Sequence, residues 1–199
     1  LDDEDGTDLI LRNADGSTVT FTTDPTLNFG DVTADIRAAT ATIVGTADLD
    51  DEDGTDFILT NADGSTVTFH TDPTKNFGDT SDDGGDHTWI INTRDIEGGD
   101  EVRKATQAIH IACLAAIAAG ELDMTAVPST DTGTQTSFTL TQTTTGTAGN
   151  TAITLVTGVT ANGETAFTGG FDGQRWRLNT RDIEGGDEVR KATQAFWIA

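Results

Sequence analysis

The sequence predicts an α+β fold, a repeated module of β-hairpin, one buried helix and further antiparallel strands. Three observations carry it. Residues 1–31 and 49–79 are near-copies that alternate apolar and polar residues on both sides of an Asp-Gly turn, the pattern of a hairpin with one face on a core. A single later run, Val102, Ala105, Ile109, Ala112 and Ala116, has the three-to-four spacing of a buried helical stripe. Thr-rich alternating segments follow it, and β-branched Thr favours strands over helix interiors.

Each element follows from its residues. In "TDFILTNADGSTVTFHTD", Phe57 and Leu59 alternate with polar residues before Asp63-Gly64, and Val67 and Phe69 alternate after it. Val19 and Phe21 repeat the pattern in the first copy. "DTSDDGGDH" reads as a polar loop and "TWIIN" as a short apolar segment. Asp100 is the expected N-cap after Gly98-Gly99, Glu101 suits the positive end of the helix dipole, and Gly120 is the expected stop. From Ala108 onward the helix is apolar nearly all round, so more than one layer must cover it. "SFTLTQ", "TAITLV" and "ETAFTGGF" return the chain to strands.

A second duplication accompanies the first. "RDIEGGDEVRKATQA" occurs verbatim at Arg94–Ala108 and Arg181–Ala195, and Trp89 aligns with Trp176. The offsets are 48 residues for the hairpin and 87 for the helix entrance. That excludes a solenoid of one period and indicates a composite module, complete once and truncated twice. The expected division is a truncated module of hairpin plus short helix over 1–48, a complete α+β module over 49–173, and the start of a further module over 174–199. The chain reads as a piece of an array.

"TTTGTAGNTAITLVTGVTANGETAFTGGFDG" (Thr143–Gly173) resembles a segment of structural proteins of tailed bacteriophages, marine ones above all. There a Gly-x-Ala-Gly-Asn turn leads into a strand and ends at Phe-Ser/Thr-Gly-Gly. The hairpin "ADGSTVTFHTD" and the helix "VRKATQAIHIACLAAI" also look like the preceding parts of those modules. The resemblance implies a virion location and a tail, fibre or capsid-decoration role, and it brings no catalytic residues.

Charge narrows the partners. There are 34 Asp and Glu against 11 Lys and Arg, a formal net charge of −23. A surface that neutralises nucleic-acid phosphates needs clustered cations, and an anionic membrane would repel this chain. Acidity of this kind keeps proteins soluble at high salt, which fits a saline source. The longest apolar stretch, Ala108–Ala119, is too short to span a bilayer, and no signal or lipidation motif is visible. The lone Cys113 excludes an internal disulfide and reads as a small core residue.

The chemical candidates are few. The doubled "DDEDGTD" could offer carboxylates to Ca²⁺, with Asp51, Asp53 and Asp56 as first ligands. The EF-hand register fails, because Gly6 or Gly54 at the sixth position puts Leu1 or Leu49 first and Arg12 or Thr60 twelfth. An exposed acidic loop is the preferred reading, with no resident cofactor. His70, His87 and His110 lack ligand-spaced partners, and Thr22 and Trp197 replace His70 and His110 in the other copies. The carboxylates of "DIEGGDE" are explained by a helix cap and first-turn acids. No nucleophile, base and oxyanion donor assemble, so no enzyme is expected. Trp89 and Trp176, with Phe196, Trp197 and Ile198, are the expected core-plugging and assembly residues.

The expected function is therefore a virion structural protein that self-assembles with copies of itself and other virion proteins. Its half-modules would be completed by neighbouring subunits through element exchange, giving a homo-oligomer. The alternative is an extracellular surface-layer, filament or adhesin array of a saline-environment cell, binding Ca²⁺ at the Asp loops.

Overall fold

The computed structural model describes residues 6–12, 14, 16, 18–28, 32–81, 83–130, 135–161 and 164–181, with backbone alone at 25–28, 32–35, 51, 83–84, 172–175 and 177–181. The chain is α+β. In order, its elements are β1 (Asp8–Arg12), β2 (Thr18–Asn28), β3 (Val32–Gly45), a 3₁₀ turn at Ala47–Asp51, β4 (Asp56–Thr60), β5 (Thr66–Asn76), β6 (Asp83–Gly85) and β7 (Thr88–Arg94). Helix α1 (Glu101–Ala118) follows, then β8 (Met124–Pro128), β9 (Phe138–Thr145), a 3₁₀ turn at Thr147–Gly149, β10 (Ile153–Thr154), β11 (Val159–Thr160) and β12 (Phe171–Arg181).

Two compact units divide the chain. One contains residues 1–37 and 171–199, the other residues 38–170. The division differs from the three stretches expected along the sequence, because the first and last stretches share one unit. The expected short helix within 1–48 is also absent from the described residues, where strand β3 stands instead. Ala39, Ala41 and Ile43 are buried at alternate positions, a period of two that no helix accommodates.

The larger unit holds a sheet of order β10-β4-β5-β7-β6. Strands β4 and β5 form the expected antiparallel hairpin, with Phe57 opposite Phe69 and Leu59 opposite Val67. The turn is held by Asp63, whose carboxylate accepts bonds from the Ser65 N–H (2.8 Å) and hydroxyl (2.6 Å). Strand β7 then pairs with β5 in parallel. The polar loop between them contains β6, antiparallel to β7. A second group of strands is built from the later part of β3 with β9 and β11, and β8 pairs β9. Inward side chains of both groups share one core with α1, centred on Phe57, Phe69, Phe138, Phe167, Ile43, Ile91 and Ile109.

Helix α1 buries Ala105, Ile109, Ala112 and Ala116 as the spacing predicts, together with Ala108, His110 and Cys113. Val102 departs from the stripe and lies exposed. The small stripe permits close approach, and a Cβ on Gly45 of β3 would stand 2.5 Å from the Ala105 carbonyl carbon. Gly120, at φ 76°, ends the helix as expected. No helix among the described residues is long and apolar enough to cross a membrane.

The smaller unit orders its strands β1-β2-β12, with the first part of β3 beyond β12. Strand β2 pairs antiparallel with β1 and parallel with β12. Strand β12 pairs antiparallel with β3, Trp176 standing opposite Ala34.

Candidate assembly surface

The duplicated sequences build the same local structure twice. Gly54 N–H donates to the Thr71 carbonyl and Thr71 N–H to the Thr55 carbonyl, both at 3.0 Å; Gly6, Thr23 and Thr7 repeat both bonds at 3.0 Å. The Thr55 and Thr7 N–H groups each donate to a threonine hydroxyl, Thr71 and Thr23, at 3.0 Å. Asp56 meets His70 Nδ1 at 2.8 Å, and in the first copy Asp8 accepts from the Thr22 hydroxyl at 2.5 Å. The swap between His70 and Thr22 preserves a cross-strand partner for Asp.

The parallel pairing is reproduced as well. Phe69 faces Trp89, Asp72 faces Asn92 and Asn76 faces Arg94 across β5 and β7, with an irregularity between Asp72 and Asn76. Phe21 faces Trp176, Asp24 faces Asn179 and Asn28 faces Arg181 across β2 and β12, with an irregularity at the same place. The opening hairpin of the first copy is thus joined by the strand of the third copy within this one chain. Sequence reasoning missed that because it expected these parts to be completed by neighbours. The signal was present, since both halves of a pairing seen once in the middle stand at the two ends.

What covers the two copies is different. Phe57 and Leu59 are fully buried, whereas their counterparts Leu9 and Leu11 are 41% and 51% exposed. Ile10, on the opposite face of β1, is 59% exposed. Val19 and Phe21 are half-buried where Val67 and Phe69 are buried. Strand β4 is also flanked by β10, Ile153 standing opposite Leu59 and Thr154 opposite Ile58. Strand β1 ends its sheet among the described residues. Full burial of a leucine contributes roughly 1.5–3 kcal/mol, so covering Leu9 and Leu11 would gain about one such side chain's worth.

The expected assembly residues divide. Trp89 is 8% exposed and its Nε1 donates to Glu121 Oε2 at 2.8 Å, so it plugs its own core and presents no face to another chain. Trp176 is half-buried. Phe196, Trp197 and Ile198 lie outside the described residues, as does the second copy of the helix entrance beyond Arg181.

The first copy of that entrance is a scaffold. Gly98, Gly99 and Asp100 are successively left-handed, at φ 88°, 93° and 63°. Lys104 Nζ holds the turn by donating to the carbonyls of Glu97 (2.6 Å) and Asp95 (3.1 Å). The expected cap is corrected, because Asp100 makes no side-chain cap bond. Instead Glu101 reaches back and accepts the Gly99 N–H at 2.9 Å, which holds its carboxyl below the ordinary value. Thr106 accepts from Gly45 N–H at 3.0 Å and donates to the Thr136 carbonyl at 3.3 Å.

The remaining candidates are dispersed. Asp53 is exposed, Asp56 is engaged by His70, and the side chain of Asp51 lies outside the described residues. Asp50 is committed to the Ile96 N–H at 3.1 Å. No group of three or more His, Cys, Asp or Glu converges among the described residues. His87 lies 3.6 Å from Glu121. His110 stacks on Phe138 at 4.9 Å, and burial lowers its pKa. Burial pushes the Cys113 thiol far up, so it is held as a neutral core side chain.

The segment Thr143–Gly173 owes its motif to a closed clip. Asn150 Nδ2 donates to the Gly170 carbonyl (3.1 Å) and Asn150 Oδ1 accepts the Gly170 N–H (2.9 Å). A Cβ on Gly170 would overlap the Gly146 carbonyl oxygen, so glycine is required by space. No protein-family model, curated protein or solved structure matches the chain.

Proposed function

We propose that the chain is a virion structural protein, a tail, fibre or capsid-decoration element that self-assembles through a repeated α+β module. One observation carries the reading: the same hairpin-and-parallel-strand unit is built twice in one register, its apolar residues buried in one copy and, among the described residues, half-buried to exposed in the other. Duplication of a packing unit serves assembly, since it repeats contacts and not chemistry. The Asn150–Gly170 clip gives a physical reason for the residues that resemble bacteriophage structural modules. Partners are further copies of this chain and other virion proteins, and no catalytic step is assigned.

Electron microscopy of native material, with sedimentation across salt and concentration, tests this. Ordered tubes, fibres or shells are expected. A monomer under every condition overturns the reading, and assembly that requires Ca²⁺ would move it to the extracellular array of a saline-environment cell.

A further inference from the structure

The open edge of the smaller unit has a specific sequence. Strand β1 reads Asp8-Leu9-Ile10-Leu11-Arg12, and all five residues are exposed. Its counterpart β4 reads Asp56-Phe57-Ile58-Leu59-Thr60 and is flanked by an antiparallel strand at Ile58 and Leu59. The two copies differ at two positions, Leu9 against Phe57 and, at the end of the strand, Arg12 in place of Thr60. Exposed apolar edge strands invite pairing with another chain.

Reversed on itself about Ile10, β1 is complementary. Asp8, which within its own chain accepts from the Thr22 hydroxyl, falls opposite Arg12 of a second copy, Leu9 opposite its Leu11, and Ile10 opposite its Ile10. Directly opposite residues of an antiparallel pair share a face. One face then carries four leucines, and the other carries two isoleucines flanked by two opposite-charge pairs. The counterpart β4 could not do this, since Thr60 offers no cation to Asp56.

We propose that β1 is a self-complementary edge on which a second copy of this chain pairs antiparallel about a two-fold axis through Ile10. The contact is isologous, the same patch serving both chains. It supplies the first copy with the antiparallel neighbour that β10 gives the second, and it joins two chains without using the core of either. Arg12 selects the partner: it pairs with Asp8 of the second copy only in the register that also brings the leucines together. The inference rests on the assembly reading, to which it adds the surface and the register.

The test uses the full chain with Ile10→Cys, mild oxidation and sedimentation, with Glu97→Cys on an exposed loop as control. Cys113 is fully buried and does not compete. Disulfide-linked dimer is expected from Ile10→Cys and not from the control. Arg12→Asp sets like charges opposite each other twice and weakens association by about tenfold, and the double change Asp8→Arg with Arg12→Asp restores most of it. Circular dichroism verifies that each variant is folded. Multimers that persist with no cross-link in the Ile10→Cys variant and no response to Arg12→Asp overturn the β1 contact and leave the assembly reading standing. A protein monomeric under all conditions overturns both. A monomeric Ile10→Cys variant whose introduced thiol resists alkylation shows that the chain's own residues cover the edge, which also overturns the contact.

Discussion

Trp176 stands opposite Phe21 across the parallel strands β12 and β2, in the register in which Trp89 stands opposite Phe69 across β7 and β5. The backbone relationship is the same and the burial is not. Trp89→Ala empties a filled core position and removes the indole donor to Glu121, at a cost of about 3–5 kcal/mol. Trp176→Ala removes a half-buried ring and costs roughly half of that. Denaturant unfolding of the two variants measures both. Equal losses would show that Trp176 is buried in solution by something beyond the described residues.

The Asn150–Gly170 clip separates two effects of different size. Asn150→Ala removes two hydrogen bonds from a partly buried backbone group and costs about 1–3 kcal/mol. Gly170→Ala drives a methyl group into the Gly146 carbonyl oxygen and to 3.1 Å from Ala39 Cβ. Backbone must shift to admit it, so the loss is about 3 kcal/mol or more. Thermal unfolding ranks the two, and a milder effect for Gly170→Ala would contradict the close approach.

Much of this was legible along the chain. The Asp63-Gly64 turn and the alternation of Phe57, Leu59, Val67 and Phe69 named the hairpin and its inner face, because period and turn chemistry are local. The Ala105, Ile109, Ala112 and Ala116 stripe named the buried side of the helix for the same reason. Strand β3 was not legible, since Ala38, Ala39 and Ala41 favour helix while Thr40 and Thr42 favour strand, and the pairing of Thr40, Ala41 and Thr42 with Thr141, Leu140 and Thr139 decides between them. The pairing of β2 with β12 joins residues from opposite ends of the sequence, and no local signal encodes it. The exposure of Leu9 and Leu11 was hidden for a related reason: their local sequence closely follows that of buried Phe57 and Leu59, and among the described residues it is a distant strand, β10 beside β4, that sets the second copy apart.

Glu101, not Asp100, closes the helix start, and pH tests that. The Gly99 N–H holds the Glu101 carboxyl below its ordinary value of 4.5. A carboxyl depressed in the folded state contributes stability that is present above its unfolded pKa and is lost as pH falls through the folded one. Glu101→Gln removes that dependence. The stability difference between wild type and Glu101→Gln therefore shrinks as pH drops below 4.5, whatever protonation of the other carboxylates does to both. Asp100→Gly is neutral or stabilising, since Asp100 holds φ 63° and makes no cap bond. A large loss on Asp100→Gly would restore the aspartate to the capping role.

Salt sets the sign of association. Each chain carries −23, so two copies repel at low ionic strength over a Debye length of about 30 Å at 0.01 M. At 1 M that length falls to about 3 Å, and burial of Leu9, Ile10 and Leu11 is no longer opposed by the long-range field. Multimers are expected to increase steadily from about 0.01 to 1 M NaCl in sedimentation equilibrium. The contribution of the Asp8–Arg12 pairs moves the other way, because exposed ion pairs weaken with salt. Arg12→Asp therefore impairs association most at low salt and least at high salt, while Leu11→Thr impairs it at every salt concentration. Association that declines with added salt in the wild-type chain would mean that ion pairs, and not the apolar edge, hold the copies together.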